Sequence, residues 1–162
     1  MLIVSTRSAG WAFVGVQVVL LGGLILLPGA DHWVLSTSME RTAHAVALVG
    51  VAVVGFAAVG LGSALTATPV PKATAGLRTG GLYRFMRHPI YSGVLLFVVG
   101  TAVASGSIWK LAVAIVSVVF FNLKARWEEL RLQAAYPGYG AYAERTPRFI
   151  PHPRFADDRE LR

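Results

Sequence analysis

Residues 77–91 read LRTGGLYRFMRHPIY, and the interpretation of the whole chain depends on this stretch. It places three arginines, a histidine, two tyrosines and a proline between two long apolar runs. No Asp, Glu, Lys or Arg occurs at residues 42–71 or at residues 89–109. A basic, aromatic-rich segment between two runs of membrane length is either a connection held on the cytoplasmic side or the floor of a site.

Pro89 indicates where a helix begins, because its missing N–H costs nothing at the first helical position. Arg87 and His88 come directly before it. Together with the unpaired backbone N–H groups of the first helical turn, these side chains would form a corner suited to an anion. The stretch is therefore a candidate binding site as well as a candidate loop.

The composition is that of an integral membrane protein, with 55% hydrophobic and 14% charged residues and a mean hydropathy of +0.60. The net charge is +7, but the basic residues avoid the apolar runs. Membrane topology and anionic lipid headgroups explain that pattern better than nucleic acid, which we do not expect as a partner. The chain has no cysteine, and its four histidines show no metal-ligand spacing, so we expect no bound metal.

The apolar runs predict an all-α fold. Residues 1–162 would form one membrane domain with four transmembrane helices, at about residues 8–28, 42–67, 89–104 and 107–123. The distribution of Lys and Arg places both termini on the cytoplasmic side of a multi-pass protein of the bacterial cytoplasmic membrane. Two segments, 77–91 and 124–151, would then share that side.

The chain changes character after residue 123. Leu123, Trp127, Leu130 and Ala134 recur at helical spacing, which predicts an amphipathic helix at the cytoplasmic surface, followed by a polar tail. The other faces would carry Lys124, Arg126, Glu128, Glu129 and Arg131. The two glutamates have two interpretations: surface ion pairs with these neighbouring cations, or a site for the hydroxyl groups or the positive charge of a ligand.

Three motifs follow one another in the second half of the chain. T-G-x-L-Y-x-x-x-R-H-P-x-Y-x-G begins at Thr79, E-E-x-x-L at Glu128 and R-x-P-R-x-I-P at Arg145. Their order and spacing, with two spans between the first and the second, resemble the isoprenylcysteine carboxyl methyltransferase family and its phospholipid methyltransferase relatives. R-H-P-x-Y alone is less specific, because NADPH-dependent membrane sterol reductases carry a similar run.

This resemblance implies a helical membrane enzyme that binds S-adenosyl-L-methionine at the cytoplasmic ends of its last spans, with the C-terminal segment closing over the site. The glutamates would bind the polar groups of the cofactor, and two tyrosines would line the pocket. His88 and Glu129 are the candidate catalytic residues. The cofactor-binding candidates carried over are Tyr83, Arg87, His88, Pro89, Tyr91, Glu128, Glu129 and Tyr142.

We expect a lipidic or prenylated small acceptor that enters from the bilayer and is methylated on a carboxylate. A carboxylate needs no base, whereas an amine or a hydroxyl group does. Eukaryotic carboxyl-methylating members carry charged residues in the span before the basic loop, and this chain has none between Arg41 and Lys72. Two alternatives stay open: an NADPH-dependent membrane reductase with the same R-H-P-x-Y corner, and a non-catalytic membrane subunit. The sequence does not indicate an oligomeric state.

Overall fold

A computed structural model describes residues 2–30, 32–62 and 76–151, with side chains from Ser8 onward. Its helices are α1 (Leu2–Leu26), α2 (Thr37–Leu61), α3 (Pro89–Ala104), α4 (Ile108–Ala135) and α5 (Tyr139–Arg145), with a short 3-10 helix at Gly81–Arg84. No β-strand occurs within the described ranges. The predicted all-α fold is confirmed.

Three helices, α1, α2 and α4, are long and apolar enough to cross a membrane. Among the residues of α1 with described side chains, the candidate span is Ser8–Leu26. Helix α3 has 16 residues, which corresponds to about 24 Å of helix and is shorter than a hydrocarbon core of about 30 Å. It packs against the three longer helices. Together the four helices account for an integral membrane protein with about four crossings.

The observed helix boundaries differ from the predicted ones in three helices, and α1 runs over Leu2–Leu26 rather than residues 8–28. Helix α2 begins at Thr37 rather than at residue 42, because the Ser36 side chain accepts a hydrogen bond from the Met39 backbone at 3.4 Å and caps the helix there. The predicted end at residue 67 lies outside the described residues, as does the tail from residue 152. Helix α4 continues without a break to Ala135, so the span and the amphipathic segment form one helix.

In a helix of a soluble protein the apolar side chains face the core. In the amphipathic part of α4, two of the leucines face outward instead. Leu123 and Leu130, which the apolar pattern assigned to one packing face, are exposed, and Lys124 is buried. Near a bilayer, apolar side chains can face lipid while polar side chains turn towards the protein interior. The inward face of α4 therefore carries Lys124 next to the apolar Phe121 and Ala125, and the prediction that Lys124 lies away from the packed face is wrong.

Glycines let α2 and α3 approach until their backbones touch. A Cβ atom placed on Gly93 would lie 2.7 Å from the carbonyl oxygen of Gly50, and one placed on Gly50 would lie 2.5 Å from the carbonyl oxygen of Gly93. Gly100 faces the backbone of Ala43 and Ala47 in the same way. Small residues at helix crossings provide this close packing in membrane proteins. The contact fixes the position of α3, whose first residue is Pro89.

The connection between α1 and α2 packs on the turn between α3 and α4. Trp33 donates its indole N–H to the carbonyl of Val103 at 3.1 Å, and the Ala30 N–H donates to the carbonyl of Ser105 at 3.1 Å. Gly106 has φ +62°, and a side chain there would collide with the Ala30 carbonyl. These contacts join the end of α1, the start of α2 and the α3–α4 turn at one end of the bundle. Helices α1 and α3 therefore begin, and α2 and α4 end, at the opposite end. We call this the basic end, and it brings residues 77–91 and 124–151 together.

The α2–α3 crossing gives a direct test. Gly93→Ala should lower the melting temperature of the purified protein, because the added methyl group would overlap the α2 backbone. Gly55→Ala, on α2, is the matched control, because a Cβ at Gly55 meets nothing within 4 Å. It should leave the melting temperature unchanged or slightly higher, since alanine favours a helix over glycine by about 0.5–1 kcal/mol. Equal shifts in both variants would contradict the packing described here.

Candidate active site

Glu129 lies at the centre of the basic end, and its carboxylate has three positively charged or hydrogen-donating partners. Arg87 approaches Oε1 with Nε and Nη2, each at 3.1 Å. His88 Nε2 also lies 3.1 Å from Oε1, so this nitrogen carries the hydrogen. Arg148 binds both oxygens, Nε to Oε1 at 2.9 Å and Nη2 to Oε2 at 2.6 Å. The anion held at the predicted anion-binding corner is thus the chain's own carboxylate.

The same residues hold the segment 146–149, which we call the C-terminal strap, against the start of α3. The backbone N–H groups of Arg87 and His88 donate to the carbonyls of Pro147 at 2.8 Å and Arg148 at 3.0 Å. Ser92 donates its hydroxyl to the Phe149 carbonyl at 2.7 Å. The hydrogen bond to Glu129 raises the pKa of Arg148, against an opposing effect of burial. The strap is therefore held by backbone bonds and by one ionic junction.

Glu128 has a different environment from its neighbour. The Tyr91 hydroxyl donates to its Oε2 at 2.7 Å, and His88 Nδ1 lies 3.7 Å from the same oxygen. Among the described residues no group donates to Oε1, and the side chain is 24% exposed. An ionised carboxylate can accept about four hydrogen bonds. Glu128 therefore keeps acceptor capacity that Glu129 has used.

Aromatic rings form the floor beneath Glu128. The His88 and Tyr91 rings are stacked, with centroids 5.2 Å apart and an interplanar angle of 3°. Tyr91 also contacts Phe121 of α4 at 5.2 Å. His88 is only 6% exposed. The two glutamates and the aromatic rings thus border one small region of the basic end that is partly shielded from water.

Three further tyrosines lie near the two glutamates. Tyr142, on α5, donates its hydroxyl to the Tyr83 carbonyl at 2.5 Å. Burial raises the pKa of Tyr142 to about 12, although the charge of Arg87 opposes the shift. Burial and the charge of Glu128 raise the pKa of Tyr83 above its usual range. All these hydroxyls stay protonated, and that of Tyr139 is buried with no hydrogen-bond partner among the described residues.

Known proteins share much of the sequence that forms this arrangement. A sequence profile described as phospholipid methyltransferase matches residues 41–138, which include α2, α3 and α4. The match covers more than half of the chain and carries the R-H-P-x-Y and E-E-x-x-L motifs. The chain belongs to the phospholipid methyltransferase family.

Individual relatives are similar to this family member over shorter stretches. It is 40% identical over 77 residues to protein-S-isoprenylcysteine O-methyltransferase B of Arabidopsis thaliana, covering 46% of this chain and 39% of that protein. It is 36% identical over 76 residues to the cobalt-zinc-cadmium resistance protein CzcN of Cupriavidus metallidurans, covering 46% of this chain and 35% of that protein. A probable protein-S-isoprenylcysteine O-methyltransferase of Oryza sativa subsp. indica is 36% identical over 77 residues, covering 46% and 40%. The chain thus matches about two fifths of the length of these relatives.

The structure of this phospholipid methyltransferase family member gathers every predicted site residue at the basic end. Pro89 is the first residue of α3 and is buried, as expected for a helix start. The glutamates do not form the surface pairs with Arg126 and Arg131 that local spacing suggested. Their partners come from the start of α3 and from the strap. The residues that meet here are Tyr83, Arg87, His88, Pro89, Tyr91, Glu128, Glu129 and Tyr142.

Sequence reasoning missed other members of the site. Lys124 is buried beside the Tyr91 ring, Ser92 binds the strap and Tyr139 places an unpaired hydroxyl inside. Arg148, the second arginine of the R-x-P-R-x-I-P motif, has its charge neutralised by Glu129. The available signal was the position of Lys124 four residues before Glu128, which places both on one helical face. Within residues 2–30, 32–62 and 76–151, no group of three His, Asp or Glu side chains could hold a metal ion.

Proposed function

We propose that this protein is an S-adenosylmethionine-dependent methyltransferase that acts at a membrane surface on a lipidic or prenylated acceptor. The contrast between the two glutamates carries the proposal. Glu129 is fully engaged by Arg87, His88 and Arg148, whereas Glu128 is partly exposed and has a carboxylate oxygen with no donor among the described residues. A family of methyltransferases shares the motifs that contain both residues.

The donors and acceptors present suit this cofactor. S-adenosylmethionine carries ribose hydroxyl groups, an amino group and a positively charged sulfur, and each of these favours a carboxylate such as Glu128. The unpaired Tyr139 hydroxyl offers a further buried hydrogen bond. The fit rests on side chains that have unmet hydrogen-bonding capacity.

The remaining predicted residues would shape the site. Arg87 orients Glu129 and also holds the carbonyls of Ala143 at 2.5 Å and Thr146 at 3.0 Å, so it ties α5 and the strap to α3. Pro89 starts α3 at the point where His88 and Tyr91 face α4. Tyr83 and Tyr142 close the side formed by the 3-10 helix and α5. These residues act by positioning and by excluding water.

When bound, S-adenosylmethionine supplies a methyl group on a positively charged sulfur. Transfer to a carboxylate needs no proton movement, so the protein has to align the acceptor and exclude water rather than supply a base. His88 and Glu129 are hydrogen-bonded to each other and would serve as positioning residues for such an acceptor. They become base candidates only for an amine or hydroxyl acceptor, which must lose a proton.

The acceptor class is inferred from the relatives and from the surroundings of the site. Two of the relatives are named isoprenylcysteine O-methyltransferases. Apolar side chains of α4 face outward next to the site, among them Val119 and Leu123. An acceptor with an apolar chain could therefore stay in the bilayer while its polar end reaches the basic end. Arg87 and Arg148 are both engaged by Glu129, which leaves them unavailable for the 2′-phosphate of NADPH and favours the methyl-donor proposal.

Glu128→Gln tests the cofactor site. Loss of one charged hydrogen bond should cost about 1.5–3 kcal/mol of binding, or roughly a tenfold to hundredfold weaker affinity for S-adenosylmethionine. Isothermal titration calorimetry in detergent measures this, and the melting temperature of the same sample reports folding. Glu144→Gln, on an exposed residue of α5, is the matched control and should bind as the wild type does. Unchanged affinity in Glu128→Gln would refute the assignment.

We also propose that the basic end faces the cytoplasm, because the Lys and Arg residues concentrate there. The chain has no cysteine, so single cysteines can report orientation. Val34→Cys, in the exposed α1–α2 connection, should react with a membrane-impermeant thiol reagent on intact cells. Arg78→Cys, exposed at the basic end, should react only after the cells are opened. The reverse pattern would overturn the orientation.

A further inference from the structure

A buried lysine lies beside the proposed site and has no role in it so far. The Lys124 side chain is 3% exposed. Its ammonium group donates to the Gln17 side-chain oxygen on α1 at 2.5 Å and lies 5.1 Å from the centre of the Tyr91 ring. The Phe121 ring centre is 5.8 Å away. Among the described residues, no carboxylate forms an ion pair with this group.

An unpaired ammonium in such a place is unfavourable. It has three N–H donors, and the described residues supply one hydrogen-bond acceptor, from Gln17. The aromatic rings offset part of the cost through cation–π attraction, worth roughly 0.5–2 kcal/mol. Removing a charge from water without a partner costs several kcal/mol in real proteins. The Lys124 environment is therefore that of a cation that has no directly paired anion among the described residues.

The charge of the nearest glutamate on the same helix face acts on Lys124, but among the described residues its carboxylate forms no ion pair with the ammonium group. Glu128 lies four residues further along α4, and its Oε2 is bound by the Tyr91 hydroxyl at 2.7 Å. Tyr91 thus separates the two charges, with its hydroxyl on the carboxylate and its ring against the ammonium. A negatively charged ligand group placed on the Lys124 side of Tyr91 would complete the pair. It would then lie next to the space that Glu128 borders.

We propose that Lys124 is the acceptor-binding residue and that it pairs with the carboxylate of the methyl acceptor. The inference rests on the proposed function, which it makes more specific. A carboxylate enters this position with a favourable charge, whereas an ammonium group of an amine acceptor is repelled by Lys124. The site is therefore selective for acidic amphiphiles over amine-bearing ones.

Methyl transfer removes the negative charge that pairs with Lys124. One carboxylate oxygen accepts a hydrogen bond from Lys124, and the other forms the new bond to the methyl carbon. The carbon–sulfur bond breaks, its electron pair stays on sulfur, and no proton moves. The ester that forms is neutral and loses the ionic contact with Lys124, so the product binds more weakly than the acceptor.

Gln17 has a supporting role in this account. It lies on α1, outside the residues 41–138 that match the family profile. Its side-chain oxygen is the hydrogen-bond acceptor that holds Lys124 beside Tyr91. Phe13 of α1 packs against Phe120 and Trp127, with ring centres 5.9 and 5.2 Å apart, which brings Gln17 to this level of α4. Gln17 is therefore a positioning residue for acceptor binding.

The test compares two probes that differ in charge alone. An S-alkyl-N-acetylcysteine with a long alkyl chain carries the carboxylate, and its carboxamide has the same chain without the charge. Affinity of the full-length protein in detergent is measured by calorimetry for both. The wild type should bind the carboxylate roughly tenfold to hundredfold more tightly. Lys124→Met should remove this preference while binding the carboxamide and S-adenosylmethionine as the wild type does.

Controls separate the possible failures. Lys110→Met removes a lysine at the other end of α4 and should keep the preference. If Lys124→Met does not fold, the smaller change Lys124→Gln should show the same loss. Equal affinity of the wild type for both probes, or a preference that survives loss of Lys124, would overturn the inference. If the wild type does not bind S-adenosylmethionine, the proposed function itself fails, whatever the probes show.

Discussion

The ionic junction at Glu129 is the interaction on which the basic end depends. One carboxylate joins α4 to Arg87 and His88 at the start of α3 and to Arg148 in the C-terminal strap. Its side chain is 14% exposed, so water does little to replace these contacts. Breaking a largely buried ionic contact by removing one partner costs several kcal/mol, because the other charges remain buried. The junction therefore keeps three segments that are distant in sequence in one fixed arrangement.

Adjacent residues on a helix point in different directions, and this explains how two neighbouring glutamates can have different roles. A step of one residue turns the side chain by about 100° on a helix of 3.6 residues per turn. Glu129 thereby meets the strap, while Glu128 and Lys124 meet Tyr91 on the other side. The face of α4 that carries Glu129 holds the strap over the site. The face that carries Glu128 and Lys124 places charged groups in it. A cofactor that binds Glu128 and an acceptor that binds Lys124 would meet beside Tyr91, as methyl transfer between them requires.

The fold was predictable where a local rule applies, and the site was predictable only in part. The start of α3 follows from Pro89, and the spans follow from uninterrupted apolar length. The partners of Glu129 do not follow from the sequence, because the local pairing rule points to Arg126 three residues before it, whereas Arg148 lies 19 residues away. The burial of Lys124 was missed because a pattern of polar and apolar residues does not say which face meets lipid. Tertiary packing decides both questions.

The central claim is that Glu129 holds the strap on α3, and hydrogen exchange of the Arg87 and His88 amides measures it most directly. These amides donate to the strap carbonyls of Pro147 and Arg148. In Glu129→Gln they should exchange roughly tenfold to hundredfold faster than in the wild type, which corresponds to a loss of about 1.5–3 kcal/mol of local stability. Glu144→Gln should leave them unchanged. Equal protection in the wild type and in Glu129→Gln would contradict the account.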